Sequence, residues 1–449
     1  MKTACKLLGR GAAALAAALA LLFTAACGAP AAQTGAPGAS SGAGQTDAAV
    51  AGGAELRVET IDGLAEDFIM GMDFSSLIAE LESGVVYRDF DGNVLGSAEA
   101  FCRFAAQCGV THVRVRVWND PYDADGGGYG GGSCDVDKAV LLAQACRAAG
   151  LGLMVDFHGS DFWADPGKQQ APKAWAGYDL PHKQAALAAF VADALARICD
   201  TGAAVDLVQI GNETNGGFAG ETSPAAMCAL FDAGAAAVRG VDPAIRVVIH
   251  VTNPEKAAMT AWAKTLAEYN VDYDVLATSY YPYWHGTLEN LKSQLSAVRE
   301  TYGKQVLVAE TSYAYTLTDS DGHPNTISMG SADAGYPFTP QGQADCLRDV
   351  MAAVSEAGGL GVFYWEPAWI TVGDTTGLTG AAYQARVAEN RALWEQYGSG
   401  WASACAAEYD PDDAGQWHGG SAVDNQAMFY PDGSPVASLR VWRAVRPAR

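Results

Sequence analysis

Eight short apolar runs, each separated from the next by a stretch with helical periodicity, constrain this chain more than any other feature. They cover 68–73, 111–117, 152–158, 205–210, 246–251, 275–279, 305–310 and 361–365. Continuously apolar strands are those buried on both faces, which happens when helices cover a parallel sheet. Eight strand–helix alternations close such a sheet on itself. The helices carry their own punctuation. Leu187, Phe190, Val191, Ala194 and Ile198 recur at helical spacing after Pro181. Thr339-Pro340 offers an N-cap with proline in the first turn, and Gly150 stands where a helix over 136–149 would end. The predicted fold is α/β, a (β/α)8 TIM barrel with long βα loops. Its C-terminal segment, 397–449, is too long to be a last barrel helix alone.

Two of the runs stop at an acid: VQIGNE at Glu213 and VLVAE at Glu310. A parallel strand ending this way delivers a carboxylate to the C-terminal edge of the barrel, where barrel enzymes carry their chemistry. Either Glu alone reads as a loop carboxylate or a neighbour of a helix cap. Together, on the fourth and seventh strands, they suit glycosidic cleavage, which needs one acid to protonate the leaving oxygen and one carboxylate to attack carbon or activate water. Asn212 can hold a sugar hydroxyl beside Glu213, although a turn role is the plainer reading. Aromatic residues crowd the same predicted rim: Trp118, Phe162, Trp163, Tyr280, Tyr281, Tyr283, Trp284, Trp365 and Trp369. Sugar C–H faces pack on such rings. Arg114 and Arg116 alternate with apolar residues on the second strand, where an unpaired guanidinium is strongly disfavoured. Arg116, nearer the rim, is expected to pair with a catalytic carboxylate.

The N-terminus reads as a secretory signal over 1–27: Lys2, Lys6 and Arg10 precede an Ala/Leu-rich run shorter than the roughly 20 residues of a comfortable span. The run closes on TAACG, which resembles a bacterial lipobox with Thr24 where Leu is usual, so Cys27 is expected to carry a lipid anchor; cleavage nearby with free secretion is the alternative. Residues 28–54, almost all Ala, Gly, Ser, Thr, Pro and Gln, read as a flexible tether, leaving 55–449 as one catalytic domain. The expected location is extracellular, at the outer face of a bacterial cytoplasmic membrane. A net charge of −23 disfavours nucleic acid and anionic lipid and favours a neutral substrate. Beyond Cys5 and Cys27, the cysteines have no CxxC or metal-type spacing, and Cys102, Cys108, Cys146, Cys199, Cys228 and Cys346 fall in helical patterns as small hydrophobes. Neither zinc nor a disulfide framework is expected.

The strings GMDFSSL (71–77), RVRVWNDPYDADGGGYGGG (114–132), DFHGSDFWADPGKQ (156–169), PKAW (172–175), QIGNE (209–213), SYYPYWHG (279–286), VAETSYAYT (308–316), YWEPAW (364–369) and GGSAVDNQAMF (419–429) resemble glycoside hydrolase family 53, the arabinogalactan endo-β-1,4-galactanases. The resemblance spans essentially everything from about 56 onward. It implies a retaining barrel enzyme, monomeric, that cuts the β-1,4-galactan side chains of pectin. Glu213 would be the acid/base and Glu310 the nucleophile. Substrate contacts would come from Arg116, Trp118, His158, Trp163, Asp165, Pro166, Gly167, Lys168, Asn212, Tyr281, Trp365 and Trp401. It further implies a structural calcium held by Asp319, Asp321, His323, Asn325, Ser421 and Asp424. Taken alone, TDSDGHPNT is an acidic turn, because an EF-hand register from Asp319 puts Gly330 where Glu is needed. Calcium prefers oxygen, so His323 would contribute its backbone carbonyl. Two departures from the family pattern stand out, Gly159 and the loop Thr214-Asn215-Gly216-Gly217. The rival functions are a related glycanase acting on mannan, xylan or glucan, and a catalytically silent galactan-binding surface lipoprotein.

Overall fold

The computed structural model describes residues 56–416 and 420–447, within a unit running from Gly53 to Arg449. The expected signal, Cys27 and the tether lie outside the described residues. Eight strands form a closed, all-parallel barrel in sequence order: β1 (Ile69–Asp73), β2 (His112–Val117), β3 (Gly152–Phe157), β4 (Ala204–Ile210), β5 (Arg246–Val251), β6 (Val275–Ser279), β7 (Gln305–Thr311) and β8 (Gly361–Tyr364). Each lies within about a residue of its expected run, and β8 pairs with β1 to close the ring.

The helices are α1 (Leu77–Glu82), α2 (Ala98–Cys108), α3 (Val136–Ala149), α4 (Leu180–Cys199), α5 (Pro224–Val241), α6 (Ala258–Glu268), α7 (Leu288–Tyr302), α8 (Pro340–Glu356), α9 (Gly380–Tyr397) and the short α10 (Val441–Ala444). Their starts follow local chemistry. The side chains of Asp135, Asp179, Ser223, Thr287 and Thr339 each accept a hydrogen bond from a first-turn backbone N–H. Gly150, at φ 72°, ends α3 in the left-handed conformation anticipated for it. The six helical cysteines occupy α2, α3, α4, α5 and α8, and Cys102 and Cys146 are fully buried.

Two hydrophobic regions flank the barrel wall. The larger joins strand backs to helices. The smaller fills the barrel interior with Ile69, Met154, Leu207, Val248, Val275, Ala277, Leu307, Ala309 and Phe363. Strand side chains alternate, so the residues two positions further along point the same way. Along the inward rows the chemistry changes from Met154 to Asp156, from Leu207 to Gln209, from Val248 to His250 and from Ala277 to Ser279. The interior is thus apolar low in the barrel and polar at its C-terminal end. The C-terminal segment does more than cap the barrel: it crosses the rim near Trp401 and then returns, with the backbone N–H of Ile61 donating to Val445 O at 2.8 Å.

Candidate active site

The polar layer is organised by one cation. Arg114 is buried, and its three nitrogens are all used: Nε donates to Gln209 Oε1 (3.3 Å) and Nη1 to Asp73 Oδ2 (2.9 Å). Nη2 stands 2.7 Å from Asp156 Oδ2, 2.8 Å from Asn212 Oδ1 and 2.9 Å from Glu310 Oε1. The sequence reading assigned this role to Arg116, and the structure corrects it. Both arginines point inward, but the longer reach from the lower position puts the Arg114 guanidinium among the strand-end carboxylates, whereas Arg116 pairs with Glu366 Oε1 at 3.0 Å.

Glu310 reaches the cleft through an irregularity. Val306 and Val308 belong to the helix-facing core and Leu307 and Ala309 to the interior, so strict alternation would send Glu310 outward. The ladder slips on both sides of this point, between Thr278 and Ser279 against β6 and between Val308 and Thr311 against β8. Such a bulge re-aims a side chain. Glu310 consequently meets Arg114 and accepts a 3.0 Å hydrogen bond from Tyr281 Oη. Glu213 lies just past β4 at φ 46°, a conformation rare for a residue with a side chain and typical of functional turns. Its Oε1 stands 2.5 Å from Ser279 Oγ, which is 3.0 Å from His250 Nε2. The loop behind it is stitched to the end of β5: Thr214 N and Oγ1 donate to His250 O at 2.9 Å each, and Asn215 bonds both Thr252 O and Thr252 N at 2.7 Å.

These surroundings separate the two glutamates. Burial, then the charge of Glu310, pushes Glu213 up to about 8, and among the described residues no cation forms an ion pair with it. Burial also raises Glu310, but there Arg114 opposes the rise and Tyr281 adds a hydrogen bond to the charged form. Glu213, with no cation beside it among the described residues, is thus the better placed of the two to hold a proton, and Glu310 is the one whose charged form has a guanidinium and a phenol to favour it. Burial would raise Asp156 too, but Arg114 and then His158 outweigh it and hold the carboxyl below its usual range.

Glu213 and Glu310 share a cleft of about 210 Å³ with Arg114, Arg116, His158, Trp163, Asp165, Lys168, Asn212, Tyr281, Trp284, Trp365 and Trp401. Trp118, Pro166 and Gly167, expected at the substrate, are not on its wall. Trp118 is fully buried behind it, packed on Trp163 and donating to His158 Nδ1 at 3.0 Å. Pro166 and Gly167 form the tip of a tight turn in which Asp165 and Lys168 pair, and Lys168 Nζ is held by Asp410 Oδ2 at 2.8 Å. Phe162, Tyr280 and Trp369 are likewise buried. Gly159 also has a local cause: at φ 65°, an added Cβ would lie 2.7 Å from Phe218. The sequence reading passed over Asp73, Asp156, Gln209, His250, Ser279 and Glu366, and the signal for most of them was a polar residue ending an otherwise apolar strand.

The acidic loop after β7 meets the C-terminal segment. Carboxylate oxygens of Asp319, Asp321 and Asp424 lie within 4.8 Å of one another. Ser320 N donates to Asp424 Oδ2 at 3.2 Å, and Ser421 N to Asp321 Oδ2 at 2.8 Å. Ser421 Oγ instead accepts from Val423 N at 3.2 Å. His323 N donates to Asp321 Oδ1 at 2.9 Å, and burial lowers the basicity of its ring. Asp424 Oδ1 and Asn325 Oδ1 are buried with no hydrogen-bond partner among the described residues. Burial, then the charge of Asp424, raises Asp321 well above the carboxylate range; burial likewise pushes Asp424 up to about 7.

The proton assignment predicts an alkaline limit. Above about 8, Glu213 loses the proton that a leaving alkoxide needs, so kcat/KM on a natural glycan falls there. A dinitrophenyl glycoside needs no protonation and should lose this limb of its pH profile. An unchanged limb on both substrates would assign the ionisation to another group.

A family model described as glycosyl hydrolase family 53 matches residues 69–442. The chain is 51% identical over 392 residues to an endo-β-1,4-galactanase of Bacillus subtilis (strain 168), covering 87% of this chain and 88% of that one. It is 36% identical over 327 residues to an arabinogalactan endo-β-1,4-galactanase of Cellvibrio japonicus (strain Ueda107), covering 69% and 83% of the two chains. Among solved structures, a catalytic domain of the same family from Ignisphaera aggregans superposes with a TM-score of 0.75 at 36% identity, covering 87% of this chain and all of that one. With a barrel closed by β8, a half-buried glutamate just past β4 and a buried one at the end of β7, the chain belongs to glycosyl hydrolase family 53.

Proposed function

We propose that the chain is a retaining endo-β-1,4-galactanase acting on the galactan side chains of pectin, with Glu213 as acid/base and Glu310 as nucleophile. The observation that carries the mechanism is the unequal treatment of the two glutamates by Arg114: one carboxylate is tied to a guanidinium and the other, half-buried, meets a hydroxyl. In the first step, the Glu310 carboxylate attacks the anomeric carbon as the glycosidic bond breaks, and Glu213 gives its proton to the leaving oxygen. In the second, Glu213 takes a proton from water as the water displaces Glu310. Asn212, fixed through Oδ1 by Arg114 and through Nδ2 by Ala164 O at 2.8 Å, is placed to bond a hydroxyl near the reacting carbon. The galactan assignment draws its support from the named relatives. Release of reducing ends from galactan, compared with mannan, xylan and glucan, tests the substrate, and proton NMR of the first product tests the stereochemistry. The expected result is galactan cleavage with the β-anomer appearing first. Cleavage of a different glycan would move the substrate, the α-anomer would exclude a covalent step, and binding without cleavage would leave a carbohydrate-binding protein.

We further propose that the acidic loop holds a structural calcium. Asp319, Asp321 and Asp424 offer a converging set of hard oxygens, with Asn325 Oδ1 and the His323 carbonyl as further donors, and Ser421 contributes backbone support. Three carboxylates so close repel one another unless protons or a cation intervene, and a divalent ion answers both that repulsion and the unpartnered oxygens. The ion would clamp the loop after β7 to the tail and take no part in chemistry. Chelation should lower the melting temperature of the wild type and leave Asp321→Ala unmoved, since a ligand of the native state stabilises by mass action. Equal shifts in both proteins would remove the site.

A further inference from the structure

Glu366, which the proposed reaction does not use, is buried just past β8 at φ 48°. A strained backbone of this kind persists only where the surroundings hold it. Here Ser76 Oγ donates to Glu366 Oε2 at 2.6 Å, Ser76 N reinforces it at 3.3 Å, and Arg116 Nη2 stands 3.0 Å from Oε1. Arg116 Nη2 also donates to Gly131 O at 2.7 Å. Its Nε and Nη1 have no hydrogen-bond partner among the described residues. Rings take that place: the guanidinium carbon lies 4.3 Å from the Trp163 ring and 5.0 Å from the Trp118 ring.

The stack continues into the cleft. Trp163 lies face to face with Trp401 at 4.9 Å and with Trp369 at 6.0 Å, and Trp369 stacks on Trp401 at 5.7 Å. Trp163 and Trp401 line the cleft, whereas Trp118 and Trp369 are fully buried. The sugar-facing indoles thus rest on a cation, and that cation rests on one carboxylate. A guanidinium in this position could not remain buried unpaired.

We propose that Glu366 is a positioning residue: by neutralising Arg116 it fixes the flat cationic face under Trp163, and through Trp163 it orients Trp401, so that it sets how tightly the cleft holds a sugar chain. The inference rests on the glycanase reading of the cleft and concerns the aromatic platform rather than the bond that breaks. Glu366 and Glu310 therefore differ in kind, although both are buried glutamates paired to neighbouring arginines of β2. Loss of Glu310 removes the reaction, whereas loss of Glu366 loosens the platform and leaves Arg114, Glu310 and Glu213 in place.

The experiment is a double-mutant cycle on galactan. Glu366→Gln should raise KM roughly three- to ten-fold, the range of a partly desolvated cation–π contact, with kcat within about two-fold of the wild type. In a Trp163→Ala background the same substitution should add little, because the ring it acts through is gone. Arg116→Lys supplies a second variant that keeps the charge near Glu366 but loses the planar stacking face, and it should raise KM in the same way. Melting temperatures identify any variant that fails to fold, and Arg116→Lys alone then decides. A fall in kcat at constant KM, a full Glu366 effect persisting without Trp163, or wild-type KM in Arg116→Lys would each overturn the proposal. If the wild type cleaves a different glycan in the same assay, the substrate reading fails on its own and the cycle is read on that glycan.

Discussion

The guanidinium of Arg114 is the point on which the upper barrel depends. It joins β1 through Asp73, β3 through Asp156, β4 through Gln209 and the following Asn212, and β7 through Glu310. Three acids around one buried cation form an arrangement that neither partner could sustain alone: removing one side of a buried ion pair costs about 3–5 kcal/mol, because the other is left in a medium that cannot solvate it. The same contacts that hold the strand ends together favour the charged form of Glu310. Structure and reactivity therefore share one group, and the layer below is apolar because the strand-end acids meet their cation above it.

A second arginine two residues along β2 does related work on the other side of the cleft. Arg114 favours the charged form of Glu310; Arg116, held by Glu366, backs the indoles of the cleft. The alternation of the strand brings both inward, and the difference in height decides which carboxylate each one meets. Beyond them the C-terminal segment contributes Trp401, whose backbone N–H donates to Gly420 O at 2.9 Å, next to Ser421, which bonds Asp321 of the acidic loop. The tail is thereby part of the cleft.

Much of this was legible in the sequence because strands, caps and strand-end acids are local signals. The eight runs gave the barrel, and Thr339 and Gly150 marked helix ends by side-chain and backbone chemistry alone. What was not legible depended on three dimensions. Assigning the carboxylate partner to Arg116 followed height on the strand and missed the reach of Arg114. Trp118 looked like a rim aromatic, yet the loop carrying Trp163 covers it. Glu310 reaches the cleft only through a slipped ladder, which no periodicity announces, and Glu366 was invisible as a partner because its arginine lies 250 residues away.

The central claim is that Glu310 is the charged carboxylate that bonds to carbon while Glu213 carries the proton. A 2-fluoro galactosyl donor with a dinitrophenyl leaving group tests it most directly, because fluorine slows the second, oxocarbenium-like step while the good leaving group lets the first proceed. Peptide mass spectrometry of the stalled enzyme should find the sugar on Glu310, with no adduct in Glu310→Gln. An adduct on Glu213 or Glu366, or turnover with inverted product and no adduct, would contradict the account.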